Sequence, residues 1–160
     1  ARKTADVSKE FFHRGGLWVL GQSVLLLAVA ALGFIGRGEP KHILFLLGGL
    51  VFLAAGAFSG IAGVATLGRS LTPFPKPNAD AKLVQHGIYR LIRHPLYTSV
   101  FCASVGWSLI WQSWPALAVS LLLALFFDAK ARHEERWLRQ QFPDYARYEQ
   151  RVRRFIPWIY

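Results

Sequence analysis

The chain is poor in cysteine, lacks methionine and carries few acids. One cysteine, Cys102, among 160 residues excludes an intrachain disulfide and a cysteine-built zinc site. Its apolar neighbours make it a packing residue. Acidic side chains number 9 against 19 lysines and arginines, a formal net charge of +10. No GxGxxG follows a strand-like run and no strand–helix alternation is present, so a soluble nucleotide-binding fold is excluded. No internal repeat or low-complexity segment is evident.

Charge is also missing locally. Residues 15–36, 42–68 and 96–127 contain no Asp, Glu, Lys or Arg. A bilayer core takes about 20 apolar residues per helix. The first two stretches meet that length. The third, interrupted by Trp111-Gln-Ser-Trp114-Pro115, is long enough for a tight pair of helices if the second continues beyond the membrane surface. The expected fold is an all-α integral membrane protein with about four spans and a C-terminal helical extension. The first stretch is too long, and too weakly followed by a cleavage signal, for a signal peptide.

With four spans the connecting segments alternate sides. Seventeen of the 19 basic residues then fall on one side and two on the other. That bias marks the rich side as cytoplasmic and puts both termini there. It accounts for the basic charge better than nucleic acid does, and basic tails also attract anionic membrane lipids.

Residues 1–14 read as an amphipathic lead-in at the surface, with Phe11 and Phe12 beside Lys9 and Arg14. The second span carries Gly56 and Gly60 at GxxxG spacing, which lets helices approach closely. Pro73, Pro75 and Pro77 forbid a helix and stiffen a segment suited to walling a pocket. Pro95 starts the third span, and Trp111 and Trp114 suit the far interface. The fourth helix runs on through its charged half until Pro143. A last helix over about 145–154 carries Tyr145, Tyr148 and Val152 on one face.

Two polar clusters lie at span ends on the basic side. One runs from Tyr89 through Arg93 and His94 to Tyr97. The other holds Lys130, Arg132, His133, Glu134 and Glu135. Taken singly, the cations read as membrane-flanking charges, the tyrosines as interfacial anchors and the glutamates as partners in surface ion pairs. The tight hairpin brings the clusters together, so His94 and Tyr97 face Glu134 across a small cavity. Ionisable groups at this depth are costly unless paired or used. A helix start suits an anion and a glutamate suits a cation, a combination that fits a zwitterion.

The run Leu83-Val-Gln-His-Gly87-Ile-Tyr89-Arg-Leu-Ile-Arg93-His94-Pro95-Leu-Tyr97 resembles the signature of the isoprenylcysteine carboxyl methyltransferase family. Glu134-Glu135-Arg-Trp-Leu138, Phe142-Pro-Asp-Tyr145-Ala-Arg-Tyr148 and Phe155-Ile-Pro157 are similar to that family's C-terminal signature. The related phospholipid N-methyltransferases share the paired glutamates. The resemblance covers about residues 68–157. It implies a membrane enzyme that takes its methyl group from S-adenosylmethionine (SAM), with Leu83, Val84, Tyr89, Arg93, His94, Pro95, Leu96, Tyr97 and Glu134 around the cofactor. Lys130 stands where eukaryotic members carry a substrate-side arginine. Ser99 replaces a usual glycine and Arg153 a common proline. No metal is implied.

The implied protein is a single membrane methyltransferase domain over 1–160. It comprises the lead-in, a transmembrane region over 15–127 with a cytosolic loop at 68–95, and cytosolic helices over 128–160. The lipophilic acceptor, isoprenylcysteine carboxylate-like, enters from the bilayer. Methyl transfer is in-line, so alignment and desolvation supply most of the acceleration. A carboxylate acceptor is already ionised. An amine, thiol or hydroxyl needs a base, for which His94, Glu135 and His133 are candidates. The competing readings are a phospholipid or amine N-methyltransferase, a membrane reductase and a non-enzymatic membrane scaffold.

Overall fold

The computed structural model describes residues 11–12, 14–35, 42–76 and 82–160, the Arg69 side chain aside. Most of the expected lead-in, and Pro77, lie outside them. The described residues form five helices: α1 Gly16–Ile35, α2 Ile43–Leu67, α3 Pro95–Ile110, α4 Trp114–Gln141 and α5 Tyr145–Arg151. Two 3₁₀ turns, Gly68–Ser70 and Gly87–Arg90, lie between α2 and α3. No strand is present among the described residues, as the all-α expectation required.

α1, α2 and α4 are each long and apolar enough to cross a membrane, and α3 is a shorter apolar helix of 16 residues. α1 buries only Gly16, Val29 and Gly33. Leu17, Val24 and Leu27 point outward, more than 60 % exposed. A water-soluble fold would hide these side chains, whereas lipid is their natural solvent. α2 packs on α3, α3 on α4, and α4 on α1.

The α2–α3 contact is backbone on backbone. A Cβ at Gly56 would stand 2.9 Å from the Ser99 carbonyl oxygen, and one at Gly106 would stand 2.7 Å from that of Gly49. Glycine is required at both positions for this approach. Ser99 uses the closeness, its hydroxyl donating to the Gly56 carbonyl at 2.7 Å.

α3 and α4 are joined by a tight turn at Trp111–Ser113. Ser113 caps α4 by accepting from the Ala116 N–H at 3.3 Å, and donates to the Leu32 carbonyl of α1 at 2.8 Å. Pro115 occupies the first turn of α4, where its missing N–H is harmless. The helix then runs 28 residues, about 42 Å. A bilayer core spans about 30 Å, so the charged half from Asp128 onward extends past it.

The last helix ends at Arg151 rather than about Arg154. Residues 152–154 are needed as backbone acceptors. The Arg93 N–H donates to the Arg153 carbonyl at 2.8 Å and the His94 N–H to that of Arg154 at 3.0 Å. An isolated parallel bridge joins Ile92 to Arg153. These bonds satisfy N–H groups entering α3 that would otherwise be orphaned.

Candidate active site

A cleft opens where the start of α3, the charged half of α4 and α5 converge. It encloses about 800 Å³ including its open mouth. Three features of the chain build its walls.

The first is the stretch between α2 and α3. Ser70, Thr72, Lys82, Leu83 and Val84 line one side of the cleft. The segment is pinned from outside. Phe11 packs edge-on against Phe74, and the Arg14 guanidinium lies 4.6 Å from the Phe74 ring centre. Phe11 is therefore part of this protein contact. Lys76 lies over the Trp137 ring of α4. At Gly87 the chain turns with φ +57°, and a Cβ there would stand 2.7 Å from the Thr66 hydroxyl. Glycine alone suits that position, and the turn presents Tyr89 to the cleft.

The second is the start of α3, where Arg93, His94, Leu96 and Tyr97 line the cleft. Pro95 is absent from the cleft wall. It is buried against α2, with its carbonyl accepting from the Ser59 hydroxyl at 2.8 Å. Its contribution is to start the helix.

The third is the pair of glutamates on α4, which adjacent positions on a helix send in different directions. Glu134 lines the cleft and accepts from the Tyr97 hydroxyl at 2.6 Å. Glu135 is fully buried and is not part of the cleft wall. Its carboxylate meets Arg93 at 2.9 Å, Arg154 at 2.8 and 3.1 Å, and His94 Nε2 at 3.1 Å. Such a buried cluster holds elements together. A fully buried acid held by three cationic or proton-donating partners is out of a substrate's reach.

His94 sits between the two glutamates. A carboxylate only accepts, so Nε2 carries the proton toward Glu135. Nδ1 then faces Glu134, 3.9 Å from its Oε2. The His94 ring is parallel to Tyr97, with centroids 5.2 Å apart, and Tyr97 is parallel to Phe127 at 4.9 Å. This stack leaves His94 little rotational freedom.

Two other sequence candidates lie elsewhere. Lys130 is buried outside the cleft wall and donates to Gln22 Oε1 at 2.7 Å and the Pro73 carbonyl at 3.2 Å. It ties the proline segment to α1. The His133 ring nitrogens are engaged by Arg136 and Trp137, away from the cleft.

α5 supplies wall residues that the sequence marks only as one face of a helix and as part of the C-terminal signature it resembles. Tyr145 and Tyr148 line the cleft beside Leu138 and Phe142 of α4 and its end. The Tyr148 hydroxyl donates to the Tyr89 carbonyl at 2.7 Å. Burial pushes the phenols of Tyr89, Tyr145 and Tyr148 above their ordinary range, so all three are neutral near pH 7. Their i, i+3 spacing reveals a helix face, but nothing local reveals that the face meets a cleft.

The residues present fit a zwitterionic, cation-bearing ligand. Glu134 offers a carboxylate held by the Tyr97 hydroxyl, and Tyr89 offers an aromatic ring. The Tyr145 hydroxyl and Arg93 Nε are buried polar atoms without a hydrogen-bond partner. Among the described residues no group of three or more His, Cys, Asp or Glu is arranged to hold a metal.

A family model described as phospholipid methyltransferase matches residues 44–145, which carry most of these walls. The chain belongs to the phospholipid methyltransferase family. The chain is similar to a probable protein-S-isoprenylcysteine O-methyltransferase of Oryza sativa subsp. indica. That protein is 35% identical over 69% of this chain and 60% of its own length. The nickel-cobalt-cadmium resistance protein NccN of Alcaligenes xylosoxydans xylosoxydans is 29% identical over 91% of this chain and 65% of its own. Among solved structures, the eukaryotic intramembrane Ras methyltransferase ICMT (isoprenylcysteine carboxyl methyltransferase) superposes with a TM-score of 0.65 at 25% identity. The match covers 90% of this chain and 52% of that one. The chain thus spans about three fifths of the rice relative and half of the solved one. Together with its apolar helices, membership of the family makes this an integral membrane protein.

Proposed function

We propose that this member of the family is a SAM-dependent methyltransferase acting on a lipophilic acceptor with an isoprenylcysteine-like carboxylate. The observation that carries the reading is the Glu134 carboxylate, held in the cleft wall by Tyr97 and backed by the His94–Tyr97–Phe127 stack. Glu134 would hold the ammonium group of SAM. Tyr89 would face its sulfonium, a cation–π attraction of about 0.5–2 kcal/mol, while both faces of the Tyr97 ring are covered by His94 and Phe127. Leu83, Val84 and Leu96 would bound its apolar parts, and Arg93 would complete the polar wall. Bound there, SAM supplies an electrophilic methyl group. The chain's own work is to align, to exclude water and to keep Glu134 oriented.

In this reading residues 1–160 are one domain. α3, about 24 Å long, joins α1, α2 and α4 as a fourth span. The cleft and both termini face the cytosol, in line with the basic bias. The acceptor reaches the cleft from the bilayer, past α1 and α4. Lys130, buried outside the cleft wall with two of its N–H donors on Gln22 and Pro73, fixes the proline segment and is not assigned to the acceptor. A carboxylate acceptor needs no general base.

The match to a phospholipid methyltransferase model favours a second acceptor class, a lipid amine. His94 Nδ1, directed toward Glu134, is then the nearest base.

Calorimetry on the purified full chain in detergent tests the reading. Wild type is expected to bind S-adenosylhomocysteine (SAH), and Glu134→Gln to bind it at least about tenfold more weakly, as loss of a charged contact predicts. No SAH binding by wild type, or NADPH binding in its place, defeats the proposal. Labelled SAM offered with prenylcysteines and with membrane lipids then separates the two acceptor classes.

A further inference from the structure

Of the cleft residues Tyr97, Tyr145 and Tyr148, two have their hydroxyls committed. Tyr97 donates to Glu134 and Tyr148 donates to the Tyr89 carbonyl. The third, Tyr145, is 1% exposed, and its hydroxyl has no hydrogen-bond partner. Arg93 shows the same pattern within one side chain. Its NH1 donates to the Glu149 and Val152 carbonyls at 2.8 and 3.1 Å, and its NH2 meets Glu135 at 2.9 Å, while Nε is buried and unpartnered. Both residues line the cleft.

A buried hydroxyl without a partner is less stable than the phenylalanine edge that would fill the same space. Packing therefore gives no reason for the Tyr145 oxygen. A partner delivered by a ligand does. Arg93 Nε can only donate, and burial together with the neighbouring Glu135 keeps the Tyr145 phenol protonated and able to donate. Two donors on residues lining one cleft, one of them on a cation, match an anionic oxygen and reject an ammonium.

We propose that the Tyr145 hydroxyl and Arg93 Nε form the subsite for the carboxylate of the ligand's amino-acid end. This rests on the SAM reading above. The ammonium assigned to Glu134 and this carboxylate share one carbon, so the two subsites must border the same cleft, as Tyr145, Arg93 and Glu134 do. Tyr145 is a specificity-determining residue: it distinguishes an amino-acid-bearing adenosyl ligand from one without the carboxylate.

The experiment measures SAH and decarboxylated SAH on the full chain in detergent, by calorimetry and competition, together with thermal unfolding of the ligand-free protein. Wild type is expected to prefer SAH. Tyr145→Phe is expected to weaken SAH binding roughly threefold to tenfold, the value of one hydrogen bond. It should leave the decarboxylated ligand unchanged, and the unfolding temperature of the free protein unchanged or raised. Equal losses for both ligands, no loss for SAH, or a less stable or unfolded Tyr145→Phe protein overturns the subsite. Failure of wild type to bind SAH at all defeats the SAM reading instead, so the two failures are distinct.

Discussion

The Tyr97 hydroxyl donates to Glu134 Oε2 at 2.6 Å, joining the first turn of α3 to the charged half of α4 across the mouth of the cleft. The bond fixes one carboxylate oxygen of a residue that lines the cleft. Tyr97→Phe removes the hydroxyl but keeps the ring between His94 and Phe127. SAH affinity is expected to fall about threefold to tenfold, with little change in unfolding temperature because Glu134 is partly exposed. Calorimetry on the variant checks this, and an unchanged affinity would remove Glu134's orientation from the account.

Glu135 is expected to matter for stability first. Replacing it with Ala leaves two guanidinium groups and His94 around an empty, buried carboxylate site. Breaking a buried ion cluster in this way costs about 3–5 kcal/mol. Glu135→Gln keeps the shape and some hydrogen bonds, so its loss is smaller. Pairing Glu135→Ala with Arg154→Leu in a double-mutant cycle should give non-additive losses, because the two side chains share two hydrogen bonds. Denaturant unfolding in detergent gives the four values. Strict additivity would contradict the cluster.

The buried tyrosines make the fold sensitive to alkali. Tyr89, Tyr145 and Tyr148 have folded pKa values raised above the ordinary 10.0, chiefly by burial. Above that pH the unfolded chain has released protons that the folded chain retains. Stability therefore holds below about pH 10 and falls as pH rises beyond it. Ultraviolet titration should show these phenols ionising only with unfolding. Ionisation near pH 10 in a fully folded protein would contradict their burial.

Much of the frame is legible without coordinates. Uncharged runs longer than a bilayer core become α1 and α2 because lipid offers the backbone no alternative hydrogen bonds. Pro95 and Pro115 mark helix starts for the same reason any proline does. Gly56 announces a close helix contact, which the Ser99 carbonyl supplies. The expected end of α5 at about 154 fails for a long-range reason. The carbonyls of Arg153 and Arg154 serve N–H groups about 60 residues earlier, a demand that helical periodicity in 145–154 does not express.

Apolar helices and segregated positive charge, both legible residue by residue, put this chain in a membrane with its polar clusters gathered at helix ends. Those properties follow from transfer energies and local backbone geometry, which each segment carries alone. The division of labour between the two glutamates comes from helix packing instead. Glu134 and Glu135 are chemically identical neighbours, yet one lines the cleft and the other is sealed against Arg93, His94 and Arg154. The same holds for Lys130, set on Gln22 and Pro73, and for Tyr145, whose hydroxyl is left over. The direction of a side chain is local, but what it meets depends on how distant helices pack.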